Sequence, residues 1–106
     1  MKRATFTLHG QRGQATRATD RGWVRYDPAD MIRDTPMRAL ARRLERETGC
    51  QCYPVRHDSD SVRRDGSIES STFEVTLVRD VPRRLGGGCS VMGSCWVTLR
   101  REEPKR

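Results

Sequence analysis

TPMRALARRLERETG, residues 35 to 49, decides how the chain folds, because it is the one segment with an uninterrupted helical period. Thr35 suits an N-cap, and Pro36 the first helical position, where a missing N–H costs nothing. Met37, Leu40, Ala41 and Leu44 recur at i, i+3, i+4 and i+7, which makes one apolar stripe. Gly49 supplies the left-handed residue that ends the helix. On the polar side Arg38, Arg42 and Arg46 stand four apart, a row with a step of about 6 Å that could track a phosphate backbone. The competing reading is a solvated face laced by ion pairs, with Arg43–Glu47 at i, i+4 and Arg42–Glu45 at i, i+3.

Strands flank this helix. Upstream, residues 2–9 alternate polar and apolar, with Ala4, Phe6 and Leu8 on one face of a half-buried strand. Residues 10–22 lack periodicity and read as a long loop. Residues 23–26 read as a short strand stopped by Asp27-Pro28, followed by a helical turn over 28–33. Downstream, residues 51–57 suit an edge strand because of Pro54. Residues 71–79 point Phe73, Val75 and Leu77 inward. Residues 95–101 place Cys95, Val97 and Leu99 on one face and Trp96, Thr98 and Arg100 on the other. The order β-β-α-β-β-β predicts an α+β fold: a mainly antiparallel sheet of about five strands with one amphipathic helix packed across it. The 106 residues suffice for one small domain, 1–106, with a frayed tail at 102–106.

The net charge is +7, and of the 21 basic residues only Lys2 and Lys105 are lysine. Arginine forks bind phosphates bidentately and stack on bases, so nucleic acid is one implied partner and an acidic protein surface another. The same charge also serves solubility alone. No apolar run reaches the length of a membrane span, and residues 1–10 lack the apolar core of a signal peptide, so a cytoplasmic protein without a membrane partner is expected.

Two loops carry more of the arginine. Residues 58–70 hold Arg63 and Arg64, and residues 80–94 hold Arg83 and Arg84 ahead of Gly86, Gly87 and Gly88. In a meander these loops lie at opposite ends of the fourth strand, which separates the two arginine pairs. Asp58-Ser59-Asp60 starts like a calcium loop, but Val62 and Arg63 stand where a ligand and a glycine belong. The glycine run lacks the lysine and following helix of a mononucleotide loop. What it offers is a basic, adaptable tip whose backbone N–H groups suit an anion.

Gly93-Ser94-Cys95-Trp96 resembles the sequence around the nucleophile of papain-like cysteine proteases. However, Met92 stands in place of the first cysteine, and no histidine or asparagine follows. A nucleophilic thiol needs a neighbouring base, and nothing in the spacing brings His9 or His57 to Cys95. Cys50, Cys52, Cys89 and Cys95 could supply four zinc ligands, with His57 nearby, yet neither pair has the spacing of a zinc knuckle. Cys95 reads as a small core residue, and a Cys89–Cys95 disulfide could close the loop under oxidation. No cofactor or metal is expected. Stacking of bases on a sheet needs two or three aromatics on one exposed face; Trp96 is the candidate, the plainer reading being that it covers the second sheet face beneath a loop.

The α-β-β-β order over 35–101 loosely resembles a double-stranded-RNA-binding domain. That family binds phosphates at the start of a further helix, for which this sequence has no counterpart after residue 101. In size, basic charge and lack of catalytic motifs the chain is similar to the small phage and mobile-element proteins that occlude larger machines, anti-CRISPR proteins among them. The expected function is therefore a non-enzymatic binding module on a protein partner or nucleoprotein complex. The alternative is direct nucleic-acid binding through Arg38, Arg42, Arg46 and the loop arginines. A Cys/His enzyme or a zinc domain ranks below both.

Overall fold

A computed structural model describes residues 2–27, 29, 35–57, 61–66 and 68–102. The turn read over 28–33, the start of the 58–70 loop and the tail beyond residue 102 lie outside the described residues, save Ala29. The elements are β1 (Lys2–Gly13), β2 (Arg21–Tyr26), α1 (Thr35–Thr48), β3 (Gln51–Arg56), β4 (Ser61–Val62), β5 (Ile68–Asp80) and β6 (Cys89–Arg101).

One antiparallel sheet runs in the order β2-β1-β6-β5-β3, and α1 packs on one of its faces. The short β4 lies end to end with β3 along the same side of β5, pairing near Ile68 and Ser70 while β3 pairs from Phe73 to Val78. This is the α+β architecture that the alternation and the single helical period predict. The core forms where they place it: Ala4, Phe6 and Leu8, with Phe73, Val75, Leu77, Cys95, Val97 and Leu99, are buried with Met37, Leu40 and Leu44 of the helix. Burying such side chains contributes about 1.5–3 kcal/mol each for the larger ones.

The helix ends as its sequence dictates. Gly49 takes φ +69° and its N–H donates to the Glu45 carbonyl at 2.9 Å. The buried Thr48 hydroxyl donates to the Leu44 carbonyl at 2.7 Å and accepts from the Cys50 N–H at 3.3 Å, so this buried polar group is paired on both sides.

Two loops are shorter than their sequences suggest. β1 continues to Gly13 across an irregularity between His9 and Arg12, and a 3-10 turn at Gln14–Arg17 then buries Ala15. The small buried residues Ala15 and Ala18 stand three apart, the period of a 3-10 turn rather than of a strand or α-helix. Likewise the β5–β6 ladder runs on to Asp80 opposite Cys89, so the loop is 81–88 and not 80–94. Ser90 and Val91 are exposed on both faces of this part of the hairpin, and strand alternation is absent where no layer covers either face. The tip is closed by the Val81 N–H to the Gly88 carbonyl at 2.8 Å and the Gly87 N–H to the Pro82 carbonyl at 3.1 Å. Gly86, Gly87 and Gly88 all have positive φ, which explains the glycine run by backbone geometry alone.

Candidate nucleic-acid interface

Helix α1 runs beside the edge strand β2, and the seam between them holds the arginine row. Arg38, Arg42 and Arg46 are exposed along the helix. Arg42 and Arg46, with Arg25 and Arg43, line an open groove of about 320 Å³, and Arg38, Arg25 and Arg42 line a neighbouring one of about 220 Å³. The single carboxylate among the lining side chains is Asp27, which accepts the Ala29 N–H at 2.9 Å.

The ion pairs expected to neutralise this face divide. Arg43 Nε does meet Glu47 Oε1 at 3.4 Å. Arg43 also donates to the Trp23 carbonyl at 3.3 Å and lies over the Phe6 ring, so it fastens α1 to β1 and β2. Burial alone would raise the Glu47 carboxyl, but the Thr19 N–H at 3.0 Å, the Thr19 hydroxyl at 2.9 Å and the Arg43 guanidinium outweigh it and hold it below its ordinary value. Arg42 and Glu45 do not pair. Glu45 instead accepts the Cys52 backbone N–H at 3.2 Å, where β3 leaves the helix. Among the described residues Arg25, Arg38, Arg42 and Arg46 therefore have no carboxylate partner, which corrects the expectation of an ion-pair-laced face on this row.

The loop arginines do not join them. Arg63 is half-buried and donates to the Arg101 carbonyl at 2.6 Å, clamping the β4–β5 turn to the end of β6; it is a structural residue, while Arg64 beside it is exposed. Arg83 and Arg84 stand exposed in the 3-10 turn of the hairpin tip. The two sites lie at opposite ends of β5, roughly 40 Å apart at ~3.3 Å per residue.

Three of the four thiols are held above their ordinary value. Burial pushes the Cys95 thiol up to about 11. Burial, with Cys95 and Glu45 nearby, pushes the Cys52 thiol up to about 12. Cys89 is exposed and donates to Asp80 Oδ1 at 3.5 Å, which raises it as well. Cys89 and Cys95 are six residues apart on one strand, about 20 Å at 3.3 Å per residue, so no disulfide can join them. No three metal-ligating side chains converge among the described residues.

Both histidines stand instead on the sheet face away from α1. His9 is opposite Trp96 in the β1–β6 register, and its Nε2 lies 2.9 Å from Thr98 Oγ1. The His57 ring packs on Trp96 at 4.8 Å, with Nε2 3.4 Å from Glu74 Oε2. Trp96 is still 40% exposed and shares this face with Trp23 and Tyr53. The sequence offers Trp96 alone as a candidate for such a face; the structure adds Trp23 and Tyr53. Their common side could have been found from strand phase, because Trp23 and Trp96 each alternate with buried neighbours: Val24 for the first, Cys95 and Val97 for the second.

No family model matches the chain, and comparison with curated proteins and with solved structures finds none that it is similar to.

Proposed function

We propose that the protein is a non-enzymatic nucleic-acid-binding module whose phosphate contacts lie along the seam of α1 and β2. The observation that carries this reading is the row Arg38, Arg42 and Arg46, joined by Arg25 and free of carboxylate partners among the described residues. Arginines already spent on ion pairs exchange one partner for another, whereas these present their full charge to a phosphate. Burial raises the thiols of Cys52 and Cys95 and so disfavours their thiolates, which supports a binding role over thiol catalysis.

The test is a fluorescence-anisotropy titration of labelled DNA and RNA oligonucleotides at low salt. Binding by the native chain, weakened at least tenfold in an Arg38→Ala/Arg42→Ala/Arg46→Ala variant of unchanged circular dichroism, is expected. Absence of binding to either polymer rejects the reading.

The hairpin tip favours a second reading, docking on a protein partner. Leu85 is 70% and Val91 68% exposed there, beside Arg83 and Arg84. An apolar-basic tip of this kind fits an acidic surface, such as that of a nucleic-acid-processing complex which the chain, like a phage-encoded inhibitor, would occlude. Retention of a host protein after nuclease treatment, lost on Leu85→Asp, distinguishes this reading.

A further inference from the structure

We infer that the open face of the sheet is a stacking platform that makes the module prefer single-stranded over duplex nucleic acid, an inference that rests on the nucleic-acid reading above. Helix α1 packs on one face of the sheet, and the opposite face carries Trp23, Trp96 and Tyr53, exposed by 46%, 40% and 54%. The register places them on a diagonal. Trp23 is level with Thr5, which pairs with Arg100; Trp96 is level with His9 and Glu74; Tyr53 is level with Thr76, which pairs with Ser94. With strands ~4.8 Å apart and ~6.7 Å between successive residues on one face, Trp23 and Trp96 are about 16 Å apart and Trp96 and Tyr53 about 12 Å apart.

Aromatic rings at such intervals suit bases that have left a duplex, since stacked and paired bases expose no face to a protein. Trp23 already carries Arg3 and Arg25, and Trp96 carries His57, so a base meets the part of each indole left exposed. The charge of the border suits the phosphates that link those bases. Arg3 and Arg25 lie over the Trp23 ring, each 5.4 Å from its centroid, and Arg100 stands one strand beyond Thr5. Arg12 and Trp96 line a further depression of about 320 Å³. Two carboxylates pair with arginines of this border, Glu102 with Arg3 and Glu69 with Arg100, and a third, Glu74, lines the depression beside Trp96. Exposed pairs of this sort are worth only about 0–1 kcal/mol, so a phosphate can displace them. Arg25 belongs both to this border and to the α1–β2 seam, which lets one strand pass from the bases' platform around the β2 edge to the arginine row.

The chain has two tryptophans, both on this face, so its own fluorescence reports contact. A single-stranded oligothymidine and oligouridine, and a duplex of the same length, are titrated into the full chain. The expected result is quenching by the single strands, tighter binding to them than to the duplex, and a loss of about 5- to 150-fold in single-strand affinity for Trp96→Ala and for Tyr53→Ala. Trp96→Phe, which keeps a π-face, should recover most of that loss, and circular dichroism confirms that each variant is folded. Equal or tighter duplex binding, or alanine variants within twofold of the native chain while the triple arginine variant is weakened, overturns the platform and leaves the nucleic-acid reading standing. Binding to neither polymer, including the case where the chain captures only an acidic protein, overturns both.

Discussion

Gly13 and Gly93 lie opposite each other across β1 and β6, and neither has room for a β-carbon. A β-carbon on Gly93 would stand 2.5 Å from the Arg12 carbonyl oxygen and 2.8 Å from the Gln14 N, and one on Gly13 would strike the Met92 carbonyl. The obstacles are backbone atoms, which cannot swing aside. This close approach lets β1 turn into the 3-10 segment that buries Ala15. Gly93→Ala should therefore destabilise the fold by about 2 kcal/mol or more, a value at the upper part of the range for forced overpacking. Chemical denaturation checks it; a loss below about 0.5 kcal/mol contradicts the account of this junction.

Glu47 ties the loop at Thr19 to α1. Its carboxyl is held below 4.5, so its stabilisation is present above that value and is lost as pH falls through the lowered folded-state value. Glu47→Gln should cost about 1 kcal/mol at neutral pH, given its partial exposure. The variant and the native chain should converge in stability as the pH drops well below 4.5. Denaturation midpoints across pH 2–7 (on the order of one point per unit) provide the comparison.

The thiols make a labelling prediction. Cys50 and Cys95 are buried and Cys89 is exposed, so one thiol should react fastest with an alkylating reagent in the native state. Asp80 holds the Cys89 thiol up, so Asp80→Asn should speed its labelling at pH 7–8, roughly the range in which a thiol begins to ionise. Peptide mapping by mass spectrometry identifies the site. Fast labelling of Cys95 in the folded chain would contradict its place in the core.

The helix and the inner halves of the strands were legible because a covered face imposes a period. Met37, Leu40 and Leu44 announce α1, and Phe73, Val75 and Leu77 announce β5, since each series packs on the other side of one core. Where the covering layer stops, the period stops too, and Ser90 and Val91 read as loop although they lie in β6. The arginine row was equally plain from spacing. Its freedom from Glu45 was not, because i, i+3 spacing reports what Glu45 can reach and not the stronger demand of the Cys52 N–H. Trp23, Trp96 and Tyr53 come from β2, β6 and β3; strand phase gives the face of each, but only the register of a sheet that joins β1 to β6 sets their spacing on it.

A phosphate-binding seam between α1 and β2 shows itself in the salt dependence of affinity. Log affinity for a single-stranded oligonucleotide, plotted against log salt concentration, should fall with a slope of about −0.7 for each phosphate neutralised. Removing Arg38, Arg42 or Arg46 singly should make the slope shallower by about one unit or somewhat less, with little effect from Arg63→Ala beyond its cost in stability. A slope near zero, or an unchanged slope in the triple arginine variant, would contradict a phosphate-binding seam between α1 and β2.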